Sequence, residues 1–406
     1  MFVAILIFIV ILGLLVFVHE LGHFVVARRN GVKAPEFGFG FPPRIVGFQF
    51  LREIPEPGKK KKLFSKWRII WGSKDGDDEN EVSDLTQAHE KKRQGGTIYS
   101  LNWFPLGGFV RIKGEDGGHA GDEDSFASKS AWKRVKILAA GVTMNFVFAW
   151  FLLSIAFMIG APEEVNPEAN TNNAKSKIQI SGIIADAPAS MMGLKVGDEI
   201  SKVQTDPMGK VVALKNVKDV QDYINANRGK EVTLEVLRGK EKLALKGTPR
   251  VDAPEGQGAL GIALSETMLV KYSWPESIWK GLLAVWDMIV MIFAGLFGLL
   301  KMLFAGQGGS ADVAGPVGIA ILTREVANLG LVYIIQFAAI LSVNLGIINI
   351  LPIPALDGGR ILFVLIEKIK GSPVSQKVEQ NFHTLFFALL MLLMLAVTYK
   401  DIARLF

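Results

Sequence analysis

Long apolar runs divide this chain into segments. Four stretches reach or exceed the roughly 20 apolar residues that a membrane-spanning helix needs. They are residues 1–27, 137–161, 327–359 (apolar to about 356) and 382–399. A fifth run, 288–300, is uncharged but short, which is typical of interfacial, re-entrant or buried segments. We therefore expect four transmembrane helices and interpret 276–305 as an amphipathic helix that lies on the membrane or dips into it.

Between the first two spans, residues 97–113 alternate in a way that predicts a membrane-associated β-hairpin. Both sides of the turn at 105–108 are rich in strand-forming residues. We expect Phe109, Val110 and Ile112 to form an edge that could hold an extended peptide by β-strand addition.

Residues 178–250 predict a compact unit of strands and one helix after the second span. A strand over 180–185, a helix over 217–225 and a hairpin around Gly239 follow from the pattern. The stretch GLKVGDEI at 193–200 resembles a PDZ domain, an α+β fold that binds extended peptides. A peptide-binding role and a role as a spacer that limits access both stay open. The predicted fold class is thus a polytopic α-helical membrane protein with a β-hairpin and an inserted α+β PDZ-like domain.

Composition supports a membrane protein with soluble parts. Half of the residues are hydrophobic, and the mean hydropathy is +0.32. The absence of cysteine excludes disulfides, thiolate nucleophiles and cysteine-type zinc sites. The net charge of +6 comes from basic residues beside the spans, so we expect a lipid bilayer as partner and no nucleic acid.

One segment, 53–93, is rich in both charges and predicts a mobile surface loop. It contains the lysine run 59–62 and the acidic patch 75–81, a composition that cannot bury a core. The lysines could contact anionic lipid, but a solvated loop is the favoured explanation.

Basic residues beside the spans predict the orientation. They follow the first span and precede the second, so 28–136 is expected in the cytoplasm. The two termini and the PDZ-like domain are then extracytoplasmic, in a multi-pass protein of the bacterial cytoplasmic (inner) membrane.

The first apolar run contains the motif HELGH at 19–23. On a helix His19 and His23 share one face, a spacing that suits two imidazoles on one Zn²⁺ with Glu20 as general base. A signal peptide would carry its basic residues at the other end. A plain anchor would not hold three ionisable side chains, because each costs about 2.5–3.5 kcal/mol or more in hydrocarbon.

A catalytic zinc site needs a third protein ligand. Glu36 is near in sequence but follows Pro35, beyond the expected end of the helix. Asp357 is the better candidate, because it lies three residues before Arg360 at the end of the third span, a depth similar to that of His23. Beside it, Pro352 and Pro354 break the helix and free backbone groups, which is tolerated where a protein or water-filled cavity receives them. A proline kink capped by Asp357 is the alternative explanation.

Together these segments resemble the site-2 protease family of intramembrane zinc metalloproteases, and within it the bacterial regulator-of-sigma-E protease type. The resemblance rests on five motifs and the PDZ-like unit. The motifs are HELGH at 19–23, PLGGFVRIKGE at 105–115, AAGVTMNF at 139–146, GPVGI at 315–319 and NILPIPALDGG at 349–359. It implies that His19, His23 and Asp357 bind zinc, that Glu20 is the catalytic base, and that Asn349, with Pro352 and Pro354, holds substrate. The chain departs from many relatives in having one PDZ-like domain and a longer 53–93 insertion.

The expected activity is therefore hydrolysis of peptide bonds in or near transmembrane helices of single-pass membrane proteins, such as anti-sigma factors or signal-peptide remnants. A non-catalytic adaptor, with a structural metal and a peptide-binding PDZ-like domain, is the alternative. An aspartyl intramembrane protease would need a second aspartate, and Asp287 and Asp401 are poorly placed. A transporter is disfavoured because four spans without repeats offer little to gate.

Overall fold

A computed structural model describes most of the chain and separates it into two compact units. The described residues are 2–53, 66–72, 93–164, 177–184, 186–205, 212–214, 216–239, 241–254, 257–305, 315–372 and 374–403. The first unit comprises Met1–Leu152, Leu282–Thr323 and Phe337–Phe406, and the second comprises Leu153–Gly281 and Arg324–Gln336.

Several of the helices are long and apolar enough to cross a membrane. In chain order, the helices of the described residues are α1 (Phe2–Arg29), α2 (Ala131–Ile159), α3 (Pro188–Met191), α4 (Val217–Ala226), α5 (Trp274–Phe304), α6 (Pro316–Leu329), α7 (Leu331–Ile350), α8 (Asp357–Lys370) and α9 (Gln376–Ala403). By length and composition, α1, α2, α5, α7 and α9 are candidate spans. This agrees with the expected polytopic helical membrane protein.

The described residues contain five candidate spans rather than the four expected, and helix α5 is the additional one. The sequence pattern emphasised an uncharged core of thirteen residues, 288–300, whereas the helix continues for 31 residues. Its length is therefore sufficient for a crossing. A count by length and composition does not decide whether α5 crosses, so the four-span topology stays a prediction.

The strands form two sheets. They are β1 (Glu36–Glu53), β2 (Lys66–Trp71), β3 (Arg93–Arg111), β4 (Ala161–Glu164), β5 (Lys177–Ile183), β6 (Glu199–Thr205), β7 (Val212–Ala213), β8 (Val232–Arg238), β9 (Glu241–Gly247) and β10 (Ile262–Val270). The sheet of the first unit has the order β2-β1-β3. The second sheet has the order β4-β10-β5-β6-β8-β9, with β7 paired to β6.

The hairpin expected over 97–113 is wrong in its pairing. Residues 36–39 of β1 pair with 98–101 on one side and with 108–111 on the other, so β1 separates the two arms. The Gly- and Pro-rich start of β1 concealed it, because such residues usually indicate turns. Gly38 is needed there for close approach, since a Cβ would lie 2.6 Å from the Ser100 carbonyl oxygen.

The loop expected over 53–93 also needs correction where the structure describes it. Residues 66–71 form β2, which pairs antiparallel with 46–51 of β1. Its alternation of Trp67, Ile69 and Trp71 with polar or smaller residues is a strand pattern that the surrounding charges obscured. The lysine run 59–62 and the acidic patch 75–81 lie outside the described residues.

The unit expected over 178–250 contains the predicted elements. Strands β5, β6, β8 and β9 and helices α3 and α4 enclose a core that includes Ile180, Val203, Val220 and Leu234. Strands β4, β7 and β10 join the same sheet and were not expected. Its identification as a PDZ domain stays a prediction, whereas a compact unit of strands and helices is present.

Candidate metal centre

Helix α1 presents two histidines to the interior of the first unit. His19 and His23 lie one turn apart, and both are buried. Their ring centroids are 4.8 Å apart and nearly perpendicular. The Nδ1 of His23 lies 2.8 Å from the Ile137 carbonyl oxygen, and because a carbonyl only accepts, Nδ1 carries the proton. The Nε2 lone pair of His23 is therefore directed away from the backbone, toward His19.

The carboxylate that meets these rings comes from the break after α7. That helix ends at Ile350, and Asp357 is the first residue of α8. Two glycines make the tight return possible: a Cβ on Gly358 or on Gly359 would collide with the carbonyls of Ile350 or Ile353, respectively. The sequence PIPALDGG thus places the Asp357 carboxylate beside the two histidines, a position that a continuous helix could not give it.

Two ion pairs fix α8 against its surroundings. Arg134 of α2 lies 2.6 Å from Glu367, and Arg360 pairs with Glu115. All four side chains are at most about one third exposed. The first contact links the second half of α8 to α2, and the second links the first turn of α8, which contains Asp357, to the segment after β3.

The three donor atoms have a spacing that suits a zinc ion. His19 Nε2 lies 3.0 Å from Asp357 Oδ2, His23 Nε2 lies 3.3 Å from the same oxygen, and the two nitrogens are 3.1 Å apart. Ligands about 2.0–2.1 Å from a tetrahedral zinc ion are separated from one another by about 3.3 Å. Two imidazoles and a carboxylate are also donors that zinc accepts, and this is the one group of three such side chains found among the described residues that could hold a metal ion. The residues present fit the ion.

Helix α2 leaves room for the centre and contacts both rings. A Cβ on Gly141 would lie 2.8 Å from His19 Nε2 and closer still to His23 Nε2. One turn further along, the Asn145 amide nitrogen lies 3.1 Å from His19 Nδ1. The role of Gly141 and Asn145 was not foreseen, although a buried asparagine in an apolar span is itself a signal of function.

Glu20 follows His19 on α1 and is half-buried. The sheet lies directly against it, since a Cβ on Gly108 would be 3.2 Å from the Cβ and Cγ of Glu20. Gly107 approaches Val16 in the same way. The glycine pair of PLGG therefore brings the end of β3 beside the predicted general base.

The predicted substrate residues lie in different environments. Asn349 is half-buried in the last turn of α7, Pro352 is exposed, and Pro354 is half-buried. Phe109 and Val110 are half-buried in β3, in the stretch next to Glu20.

Ile112, by contrast, is buried among Ala27, Ile137 and Val364. Its side chain packs in the protein interior and is not available to a substrate.

His383 of α9 is a further histidine with a defined contact. Its Nδ1 lies 3.0 Å from the Pro354 carbonyl oxygen and donates to it. This contact supports one of the backbone groups that the prolines free. No sequence pattern indicates this contact, because His383 is far from both motifs in the chain.

Glu36 is not part of the centre, as expected. It is buried and receives two hydrogen bonds from Arg44, at 2.9 and 2.7 Å. Burial alone would raise the pKa of this carboxyl, but hydrogen bonds and the charge of Arg44 outweigh burial and lower it. The pair is a structural link within β1.

Comparison with known proteins finds one matching family and several similar proteins. The model of peptidase family M50 matches residues 7–54 and 87–393. The chain is 33% identical to the regulator of sigma-W protease RasP of Bacillus subtilis, covering 98% of each chain. It is 31% identical to zinc metalloprotease RasP of Bacillus licheniformis, again with 98% coverage of both. Zinc metalloprotease RasP of Geobacillus kaustophilus is 30% identical, with 98% of this chain and 97% of that protein covered.

The absence of a side chain at Gly141, next to both histidine rings, can be tested by substitution. Gly141→Ala should lower zinc affinity at least tenfold, because the added methyl group must displace the ligand nitrogens of one or both histidines. Competition with a chromogenic chelator in detergent measures the affinity. Gly295→Ala is the matched control, since Gly295 is a glycine of a candidate span with nothing within 4 Å of an added Cβ. Equal zinc affinity in the two variants would contradict the arrangement.

Proposed function

Because the chain belongs to peptidase family M50, the family of site-2 proteases, we propose that His19, His23 and Asp357 hold its catalytic zinc and that Glu20 is the general base. The resemblance drawn from the motifs is confirmed at the level of the family. The chain is a multi-pass intramembrane zinc metalloprotease. The observation that carries the residue assignment is the spacing of 3.0–3.3 Å among three donor atoms, which suits one tetrahedral ion.

The proposed mechanism is metal-assisted hydrolysis of a peptide bond. A zinc ion in such a site supplies Lewis-acid chemistry, polarising a carbonyl and lowering the pKa of water from about 15.7 toward about 7. The Glu20 carboxylate takes a proton from the attacking water and delivers it to the leaving amine. Its position one residue after His19 gives it a fixed distance from the ligands.

A substrate helix must unwind before its carbonyl can be attacked, and the stretch 108–111 of β3 is suited to receive the extended segment. This stretch pairs on one side with residues 36–39 of β1 and approaches Glu20 at Gly108. A substrate strand added to its other side would run past the catalytic base. Asn349, at the end of α7, is proposed to hold the substrate from the opposite direction, with Pro352 and Pro354 keeping the intervening backbone open.

The contacts within the first unit also support a topology. Histidines from the end of α1 meet a carboxylate just after α7, so α1 and α7 run in the same direction. The later histidine of α1, His23, contacts the earlier residue of α2, Ile137, whereas His19 contacts Asn145, so α2 runs in the opposite direction to α1. The chain between α2 and α7 must therefore cross the membrane an even number of times. A single crossing by α5 would break this rule, and we propose that α5 lies along the extracytoplasmic face.

The proposed location is the bacterial cytoplasmic membrane, with 28–136 in the cytoplasm and the termini and PDZ-like domain outside. The relative from Bacillus subtilis is named a regulator of sigma-W protease, which favours membrane-bound anti-sigma factors as substrates. Signal-peptide remnants are the other class that this site could accept. The PDZ-like domain would bind an extended substrate end or limit the size of what reaches the centre.

Replacing the general base tests the proposed function. Glu20→Gln should bind zinc with native stoichiometry but lose at least a hundredfold of the cleavage rate on a model transmembrane substrate, because the amide cannot accept the proton. Zinc is measured by atomic emission and cleavage by gel. Cleavage by the variant at the native rate would show that Glu20 is not the general base, whereas native protein that binds zinc without cleaving would favour the non-catalytic adaptor.

Proline substitutions test the role of the β3 edge. Phe109→Pro and Val110→Pro each remove a backbone N–H, and neighbouring residues direct theirs to opposite sides of the strand. Both variants should reduce cleavage while retaining zinc, because one weakens pairing with β1 and the other removes a donor for the substrate. Phe109→Leu and Val110→Ala serve as controls that keep the N–H. Native cleavage by both proline variants would remove this edge from the mechanism.

Cysteine labelling tests the topology, and the absence of native cysteine removes background. Ser273→Cys and Ala305→Cys, at the two ends of α5, should both react with a membrane-impermeant maleimide added to spheroplasts. Gly121→Cys, in the predicted cytoplasmic segment, should react only after permeabilisation. Protection of one end of α5 alone would show that this helix crosses.

A further inference from the structure

Asn145 is an unusual residue for the middle of a membrane helix. It lies fully buried in α2, flanked by Met144 and Phe146. Its side chain contacts His19 Nδ1 at 3.1 Å, the nitrogen of that ring that faces away from Asp357. Among the described residues, its Oδ1 has no hydrogen-bond partner. A buried amide without a full set of partners is costly, so a purely structural role accounts for it poorly.

The proton on His19 decides which end of the amide faces the ring. His19 Nε2 belongs to the triad of proposed ligand atoms, so a bound metal leaves Nδ1 as the nitrogen that carries the proton. An N–H needs an acceptor, and the amide nitrogen of asparagine only donates. Rotation of the amide by half a turn exchanges its oxygen and nitrogen without changing its shape. Only the orientation with Oδ1 toward the ring gives the His19 N–H a partner.

We propose that Asn145 is a positioning residue whose Oδ1 accepts a hydrogen bond from His19 Nδ1–H, fixing the tautomer and the direction of the metal-binding nitrogen. The inference rests on the proposed function of the centre. Helix α2 would then serve both histidines in the same way, since the Ile137 carbonyl accepts from His23 Nδ1. The two acceptors are eight residues apart, and Gly141 lies midway, where it leaves room for the ligand nitrogens.

The two acceptors differ in one respect that makes the proposal testable. The partner of His23 is a backbone carbonyl, which no substitution removes. The partner of His19 is a side chain, so its acceptor can be deleted, blocked or made stronger. Outer partners of metal-binding histidines are typically worth ten- to a hundredfold in metal affinity.

The experiment measures zinc affinity by chelator competition in full-length protein, for Asn145→Leu, Asn145→Asp and Ser342→Ala. Leu has a similar size but no acceptor, so affinity should fall ten- to a hundredfold. Asp retains an oxygen facing the ring and should bind zinc at least as tightly as the native protein. Ser342 donates to the Asn145 backbone oxygen at 2.8 Å and touches neither histidine, so Ser342→Ala should stay within about twofold of native affinity.

A second readout separates positioning from folding. The melting temperature of each variant is compared with and without zinc, because ligand binding raises it in proportion to the logarithm of affinity. Asn145→Leu should show a smaller zinc-induced shift than Asn145→Asp, whatever their stabilities without zinc. Equal shifts and affinities in these two variants would overturn the proposal, as would a loss in Ser342→Ala equal to that in Asn145→Leu. Failure of the centre itself would appear differently, as native zinc affinity in His19→Ala.

Discussion

The structure depends on the meeting of two imidazoles and one carboxylate in an apolar interior. Ionisable groups are expensive to bury, and three of them within 3.3 Å need a compensating interaction. A divalent ion at this site would supply it, because it would neutralise the carboxylate and accept the lone pairs of both rings. Without such a group, the two facing nitrogens and the oxygen would not have enough protons to hydrogen-bond one another. A bound metal would therefore explain why these side chains can occupy one place.

The rest of the first unit is organised around that meeting point. Helix α2 contributes three features to it. Gly141 has no side chain and leaves space for the histidine rings, the Ile137 carbonyl accepts a hydrogen bond, and Asn145 presents a side-chain amide. The break after α7 carries Asp357 into reach and is itself supported from α9 by His383. The glycine pair of β3 then brings a strand to the general base. Glycines recur around the centre because the helices, the strand and the proposed metal site lie closer to one another than side chains would allow.

The candidate site was largely predictable because its motifs have a strict local geometry. The spacing of His19 and His23 on one helix, and the depth of Asp357 beside Arg360, follow from helical periodicity and from the charges at the span ends. The sequence does not predict the contacts of Asn145 and His383. Asn145 contacts a histidine that lies more than a hundred residues away in the chain, and His383 contacts a backbone carbonyl, which no sequence pattern indicates.

The helices and the second sheet were predictable in outline for the same reason. The first sheet was not, because its pairing interleaves β1 with both arms of β3. Gly38 and the prolines at 42 and 43 give β1 the composition of a turn, and the close approach to Ser100 explains the glycine. Long-range pairing of this kind leaves little trace in local alternation.

X-ray absorption at the zinc edge of the Asp357→Cys variant tests the central claim most directly. The native chain has no cysteine, so any zinc–thiolate distance must report on position 357. The account predicts one sulfur at about 2.3 Å together with two imidazole nitrogens at about 2.0–2.1 Å, and a native spectrum without sulfur. Stoichiometric zinc in the variant with only nitrogen and oxygen ligands would contradict it.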